Sequence, residues 1–191
     1  MRFFVAAMLS LCISDSAVSQ ISIRPNALSQ TICDKQTGEP VVLIRRDSIG
    51  KSVTRFLIEH EFKHVSDALS HKGGCLGWES ERDVSPAFKF ELPAACANIS
   101  FAVSVRGESY DSALKSAWLA PNHGNSVYDQ ASDIATKPWL LQLVRDTCTK
   151  DFVTNLAEAK EDSVRRKYRM RCVKDEMFCV MSPIQRAPTR K

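Results

Sequence analysis

The stretch IGKSVTRFLIEHEFKHVSDALS, residues 49–70, decides the predicted fold of this chain. Apolar residues and two histidines recur in it at spacings of three and four, at Ile49, Val53, Phe56, Leu57, His60, His64, Val65 and Ala68. That spacing places them on one face of an amphipathic helix. Asp47-Ser48 supplies a helix N-cap, and Lys72-Gly73-Gly74 ends the helix after about Ser70.

The segments on either side of this helix predict a small sheet and further helices. Ile21–Arg24 and Val41–Arg45 are short and rich in β-branched residues, so they are predicted to be strands. Cys75–Lys89 is predicted to be an irregular loop. Further helices are predicted at Ala94–Val105, Asp111–Ala120, Ser126–Ala135, Pro138–Cys148 and Asp151–Cys172. The predicted fold class is therefore α+β, mostly helical, with a small sheet.

The chain of 191 residues is predicted to consist of a leader, one domain and a tail. Residues 1–19 have a basic start, an apolar run and then small residues, which is the order of a secretory signal peptide. Residues 20–181 are predicted to form a single domain and residues 182–191 a flexible tail containing two prolines. No apolar stretch after the leader is long enough for a transmembrane segment.

The cysteine count also indicates export. Removal of the leader with Cys12 leaves six of the seven cysteines: Cys33, Cys75, Cys96, Cys148, Cys172 and Cys179. An even number in an exported chain predicts up to three disulfides, with 15 possible pairings. We therefore expect a disulfide-stapled protein that is secreted or periplasmic.

The charge balance argues against a nucleic-acid partner, because a formal net charge of +4 is mild for 191 residues. Positive charge is concentrated at Ser163–Arg171, within the last predicted helix. This basic C-terminal helix predicts weak contact with an anionic surface, and its alternative is an ordinary solvated helix face.

Residues 60–64, His-Glu-Phe-Lys-His, carry the chemistry that the sequence predicts. On a helix, residues four apart point in nearly the same direction, so His60 and His64 project from one face. Two neutral imidazoles hold a Zn²⁺ ion, and a neighbouring carboxylate, Glu61, takes a proton from water. The alternative is two histidines on a half-buried helix face with no metal.

Residues 58–64 resemble the active-site helix of the zincin metallopeptidases. The resemblance implies that His60 and His64 bind zinc and that Glu61 is the general base. It also implies that residues 20–181 are a metallopeptidase-like domain with a zincin-type active-site helix. Glu91, followed by small residues, resembles the glutamate that completes the zinc site in the gluzincins.

A catalytic zinc ion usually has three protein ligands. Glu91 is the first choice for the third ligand, and Glu79, Glu81 and His71 remain open as alternatives. A zinc hydrolase also needs a donor to the oxyanion, for which the sequence offers His123 or Tyr128, although both lie in a stretch typical of a surface turn.

We therefore expect an exported zinc-dependent peptidase that acts on a peptide or protein substrate. Two alternatives remain open. One is a disulfide-stapled exported binding or scaffold protein without catalysis, and the other is a zinc-binding protein that is not catalytic.

Overall fold

The structure is a computed structural model, and it describes residues 27–51, 53–85, 88–118, 138–158 and 162–184. The predicted signal peptide, the strand at Ile21–Arg24, the helix at Ser126–Ala135, and both His123 and Tyr128 lie outside these residues. Within them the chain has an α+β fold, with helices packed on a small antiparallel sheet.

The sheet has four strands in the order β1-β2-β4-β3. They are β1 (Ser29–Cys33), β2 (Pro40–Arg45), β3 (Tyr168–Cys172) and β4 (Phe178–Pro183). All neighbours are antiparallel, and Ile44 of β2 lies opposite Cys179 of β4. The β1–β2 turn is closed by Asp34, whose carboxylate accepts the Gln36 N–H at 2.8 Å. Glycine at position 38 suits this turn because its φ is +71°.

The described helices lie between β2 and β3 in the chain and form two groups. α1 (Val53–Ser70), α2 (Gly74–Val84) and α3 (Phe88–Ser104) come first, followed by α4 (Tyr110–Trp118), α5 (Pro138–Thr147), α6 (Lys150–Glu158) and the short α7 (Asp162–Arg165). None of the helices in the described part of the chain has the length and apolar character needed to cross a membrane.

The helix α1 packs on the sheet because its apolar stripe meets the side chains of β2. Leu57, Phe62 and Val65 form one buried cluster with Val42 and Ile44. Complete burial of such side chains stabilises the fold by about 1.5–3 kcal/mol each. The amphipathic helix predicted over residues 49–70 is confirmed, although it begins at Val53 because residues 46–48 form a 3-10 turn.

A second core lies between α3 and the helices that follow it. Leu92, Ile99, Leu114, Val144 and Val153 are all buried there. The predicted helix at Ala94–Val105 begins earlier, at Phe88, and contains Pro93. Phe90 and Leu92 are buried by tertiary contacts, and this packing keeps the segment before the proline helical.

Three disulfides each join two different elements of the fold: Cys33–Cys75, Cys96–Cys148 and Cys172–Cys179. They link β1 to α2, α3 to the end of α5, and β3 to β4. The prediction of up to three disulfides among the six later cysteines is confirmed, because all six are paired. Such cross-links persist in oxidising compartments, so they indicate a location outside the cytoplasm.

Two predictions of secondary structure are wrong. The segment Cys75–Lys89 is not an irregular loop, because residues 74–84 form α2 and residues from Phe88 belong to α3. Only Cys75 and Trp78 of α2 are buried, so the helix has no repeating apolar pattern to reveal it.

The prediction of one long helix over Asp151–Cys172 is also wrong. The segment divides into α6, α7 and the strand β3. Tyr168, Met170 and Cys172 alternate with two arginines, which is the two-residue period of a β-strand. Pairing with β4 and the Cys172–Cys179 disulfide stabilise this strand over a helix. Arg169 and Arg171 are therefore exposed on an edge strand, and the anionic-surface contact predicted through a basic helix loses its structural basis. The strand β4 also includes Ser182 and Pro183, which the sequence placed in the tail.

Candidate metal centre

Two histidines of α1 lie side by side on the buried face of the helix. His60 and His64 are each 3% exposed, and their ring centroids are 4.9 Å apart. Their spacing of four places them about one helical turn apart, as the sequence predicts. Because α1 packs between the sheet and α3, both rings face the interior of the protein.

Glu91 of α3 completes a group of three possible metal ligands. Its Oε2 atom lies 3.1 Å from Nε2 of His60 and 3.4 Å from Nε2 of His64. One ligand atom from each of the three residues lies within 4.8 Å of the other two. The structure therefore brings together His60, His64 and Glu91, the set that the sequence ranked first.

These distances fit a tetrahedral metal ion. Ligand atoms that bind Zn²⁺ at about 2.0–2.1 Å are separated by about 3.3–3.4 Å along each edge of the tetrahedron. The two nitrogen–oxygen distances, 3.1 and 3.4 Å, are close to that edge length. Two imidazoles and a carboxylate are also a known donor set for Zn²⁺. The residues present therefore fit a metal of this type, and the donor set by itself does not identify which metal binds.

The same three residues interact electrostatically in the interior of the protein. Burial disfavours the charged form of His60, but the hydrogen bond and charge of Glu91, with the charge of Glu61, outweigh it and raise the pKa of His60. Burial also opposes ionisation of Glu91, yet the two histidines hold the pKa of this carboxyl well below its ordinary value. The carboxylate is therefore ready to act as an anionic ligand.

Glu61 is held by two hydroxyl groups of the edge strand β1. Ser29 Oγ donates to Oε1 of Glu61 at 2.7 Å, and Thr31 Oγ1 donates to Oε2 at 2.7 Å. Glu61 itself is 3% exposed. Its charge acts on His60, so the carboxylate belongs to the electrostatic surroundings of the possible metal ligands.

Sequence reasoning missed this contact because it did not predict β1. Ser29, Thr31 and Cys33 lie on the face toward α1 and alternate with Gln30 and Ile32 on the other face. All five residues are buried, so β1 shows no alternation of buried and exposed positions. The signal that could have found the strand is the β-branched pair Thr31 and Ile32, followed by the turn residues 34–38.

Trp78 of α2 lies beside the histidines and is 1% exposed. Its ring centroid is 5.7 Å from that of His64 and 6.0 Å from that of Phe90, which precedes Glu91 in the chain. The guanidinium of Arg82 stacks over the ring of Trp78, 4.7 Å from the ring centroid. The buried rings of Trp78 and Phe90 therefore keep solvent away from one side of the site. The sequence could not place Trp78 because α2 was predicted as a loop.

The three alternative ligands lie elsewhere. Nε2 of His71 is 2.9 Å from Glu81, which also contacts Lys89. Glu79 accepts the backbone N–H of Cys33 at 3.3 Å. None of the three belongs to the converging group in the described part of the chain.

Lys63 lies between Glu61 and His64 in the sequence, and its amino group pairs with Asp67 one turn along the helix. The positive charge of Lys63 is therefore compensated on α1 itself.

Comparison of the chain with protein-family models, with curated proteins and with solved structures finds no match in any of the three.

Proposed function

We propose that this chain is an exported, zinc-dependent peptidase with a zincin-like site. The observation that carries the proposal is the convergence of Glu91 Oε2 on the Nε2 atoms of His60 and His64, at 3.1 and 3.4 Å. A His-Glu-x-x-His helix and a glutamate from a second helix are the ligand arrangement that the gluzincin resemblance implies.

In this proposal His60, His64 and Glu91 hold the metal. A zinc ion bound there supplies a Lewis acid that polarises a peptide carbonyl and makes water more acidic. Glu61 accepts a proton from the attacking water and later transfers it to the leaving nitrogen. Its carboxylate suits this role because it is buried and fixed by two donors.

A catalytic site is favoured over a closed structural one by the number of ligands. Structural zinc sites usually have four protein ligands, whereas catalytic sites have three and leave a position for water or substrate. Within the described residues, the converging group has three members. Glu91 is also the least buried of them, with 15% of its side chain exposed, so solvent reaches the group from its side.

The three disulfides and the predicted signal peptide support export of the mature chain to the periplasm or the medium. The substrate class in this proposal is a peptide or protein.

The test uses the mature protein expressed with export and purified without chelator. We expect one zinc ion per chain by elemental analysis and cleavage of a mixed-sequence quenched fluorescent peptide library. Glu61→Gln should keep the zinc and lower hydrolysis at least about 100-fold, within the range for loss of a general base. Glu81 lies outside the site, so Glu81→Gln is the matched control. This variant should keep the zinc ion and the wild-type rate of hydrolysis.

Absence of stoichiometric zinc from the wild type, or full hydrolysis by Glu61→Gln, would overturn the proposal. One zinc ion per chain without hydrolysis by the wild type would instead indicate a zinc-binding protein that is not catalytic.

A further inference from the structure

The strand β1 presents two hydroxyl groups to a single carboxylate of α1. Ser29 and Thr31 are two residues apart in an extended strand, so their side chains lie on the same face of the sheet. Each hydroxyl is 2.7 Å from a different oxygen of Glu61. Ser29 is 5% exposed and Thr31 is 1% exposed. The two donors therefore form one hydrogen bond to each oxygen of a single buried carboxylate.

We propose that Ser29 and Thr31 are positioning residues for the catalytic base, an inference that rests on the function proposed above. Hydrogen bonds from hydroxyls to an ionised carboxylate are short and stronger than neutral ones. With one donor on each oxygen, the carboxylate cannot turn about its own axis without losing a bond. Each oxygen keeps a second lone pair, which can receive a proton from water.

The strand that supplies these donors is itself fixed to α2. The Cys33–Cys75 disulfide joins the end of β1 to the first turn of α2. The guanidinium of Arg82 donates to the backbone oxygen of Thr31 at 2.8 Å, and Glu79 accepts the N–H of Cys33. These contacts hold β1 at its outer edge, opposite its pairing with β2. Catalytic groups need this kind of rigid support, since small displacements reduce rates strongly.

A purely structural role for the two hydroxyls predicts a different result. In that case their removal weakens the attachment of α1 to β1 and changes stability, while the turnover of the folded enzyme stays the same. Turnover per folded, zinc-loaded molecule separates the two roles.

The experiment compares Thr31→Val, which keeps the shape and removes the hydroxyl, with Thr31→Ser, which keeps the hydroxyl. Ser29→Ala and the double variant Ser29→Ala/Thr31→Val complete the set. We expect the double variant to bind one zinc ion and to lose about 10–100-fold in kcat, as other supporting contacts do, with KM within about twofold. Thr31→Ser should stay within about threefold of the wild type.

A second readout does not depend on activity. In crystals of the zinc-loaded double variant, we expect the Glu61 carboxylate to be rotated, with His60, His64 and Glu91 in place. If the double variant does not fold, Thr31→Val and Thr31→Ser are compared in the same two measurements.

Wild-type kcat in a folded Thr31→Val or double variant, or an unmoved Glu61 in the crystal, would overturn the inference. A loss that Thr31→Ser shares, or that follows zinc content, would also overturn it by indicating a structural role. Failure of the proposed function is distinguishable, because it appears in the wild type as missing zinc or missing hydrolysis.

Discussion

Nε2 of His60 lies 3.1 Å from Oε2 of Glu91, although 31 positions separate the two residues in the chain. The contact exists because α1 and α3 pack together across the interior. Two buried alanines, Ala94 and Ala95, follow Glu91 on α3, and their small side chains let the helices approach closely. This contact adds a third possible metal ligand to the two histidines of the motif.

Glu91→Gln is expected to weaken zinc binding because it removes the anionic ligand and keeps the shape of the side chain. We expect at least about a tenfold loss of affinity, measured by competition with a chromophoric chelator. Glu79→Gln is the matched control, since Glu79 contacts β1 and not the histidines. Equal losses in the two variants would contradict the assignment of Glu91 as the third ligand.

Removal of zinc is expected to lower the thermal stability of the wild type. A ligand present at 100 times its Kd stabilises the native state by about 2.7 kcal/mol. In a chain of this length, chelation by EDTA should therefore lower Tm by roughly 5–10 °C, measured by scanning calorimetry. His64→Ala should abolish this response to EDTA. His71→Ala should retain it, because His71 pairs with Glu81 outside the group. A response that is the same in both variants would place the metal elsewhere.

The disulfides are expected to differ in their contribution to stability according to the chain length that they enclose. Cys33 and Cys75 are 42 positions apart, whereas Cys172 and Cys179 are 7 apart. Loop entropy predicts a loss of about 4 kcal/mol for Cys33→Ala/Cys75→Ala and about 2.5 kcal/mol for Cys172→Ala/Cys179→Ala. Urea unfolding at neutral pH measures both.

The first of these variants should also lose hydrolysis, since it loosens the strand that holds Glu61. The second should keep hydrolysis because β3 lies at the far edge of the sheet. Full activity of Cys33→Ala/Cys75→Ala below its unfolding transition would show that β1 does not need this cross-link.

Glu59→Gln is expected to destabilise the protein through a buried charge. Glu59 is 6% exposed and accepts from Arg55 at 2.8 Å, and its other oxygen contacts Arg165 of α7. Loss of the carboxylate leaves Arg165 partly buried without its partner. We expect a cost of about 2 kcal/mol, below the range for a fully buried pair because Arg55 is exposed.

The matched control for Glu59 is Asp111→Asn, which removes a carboxylate whose side chain is 73% exposed and whose partner Arg145 is 44% exposed. Its free energy of unfolding should change by less than about 0.5 kcal/mol. If the two variants lose equal free energies of unfolding in chemical denaturation, the buried ion pairs of Glu59 stabilise the protein no more than an exposed ion pair does.

The sequence determined the features that depend on local periodicity. The spacing of apolar residues predicted α1, and the spacing of His60 and His64 placed both rings on its buried face. The β-branched run at Val41–Arg45 predicted β2, and an even cysteine count predicted three disulfides. These properties follow from the geometry of one element or from the count of one residue type, so they need no knowledge of distant contacts.

Only the tertiary structure decided which distant groups meet. It selected Glu91 over Glu79, Glu81 and His71, chose one of the 15 disulfide pairings, and placed Ser29 and Thr31 on the oxygens of Glu61. It also made Tyr168–Cys172 a strand, because the four-residue spacing of Val164, Tyr168 and Cys172 fits a helix as well as it fits alternate strand positions. In each case several partners were locally equivalent, and contacts between different elements, such as α1 with α3 and β3 with β4, decided between them.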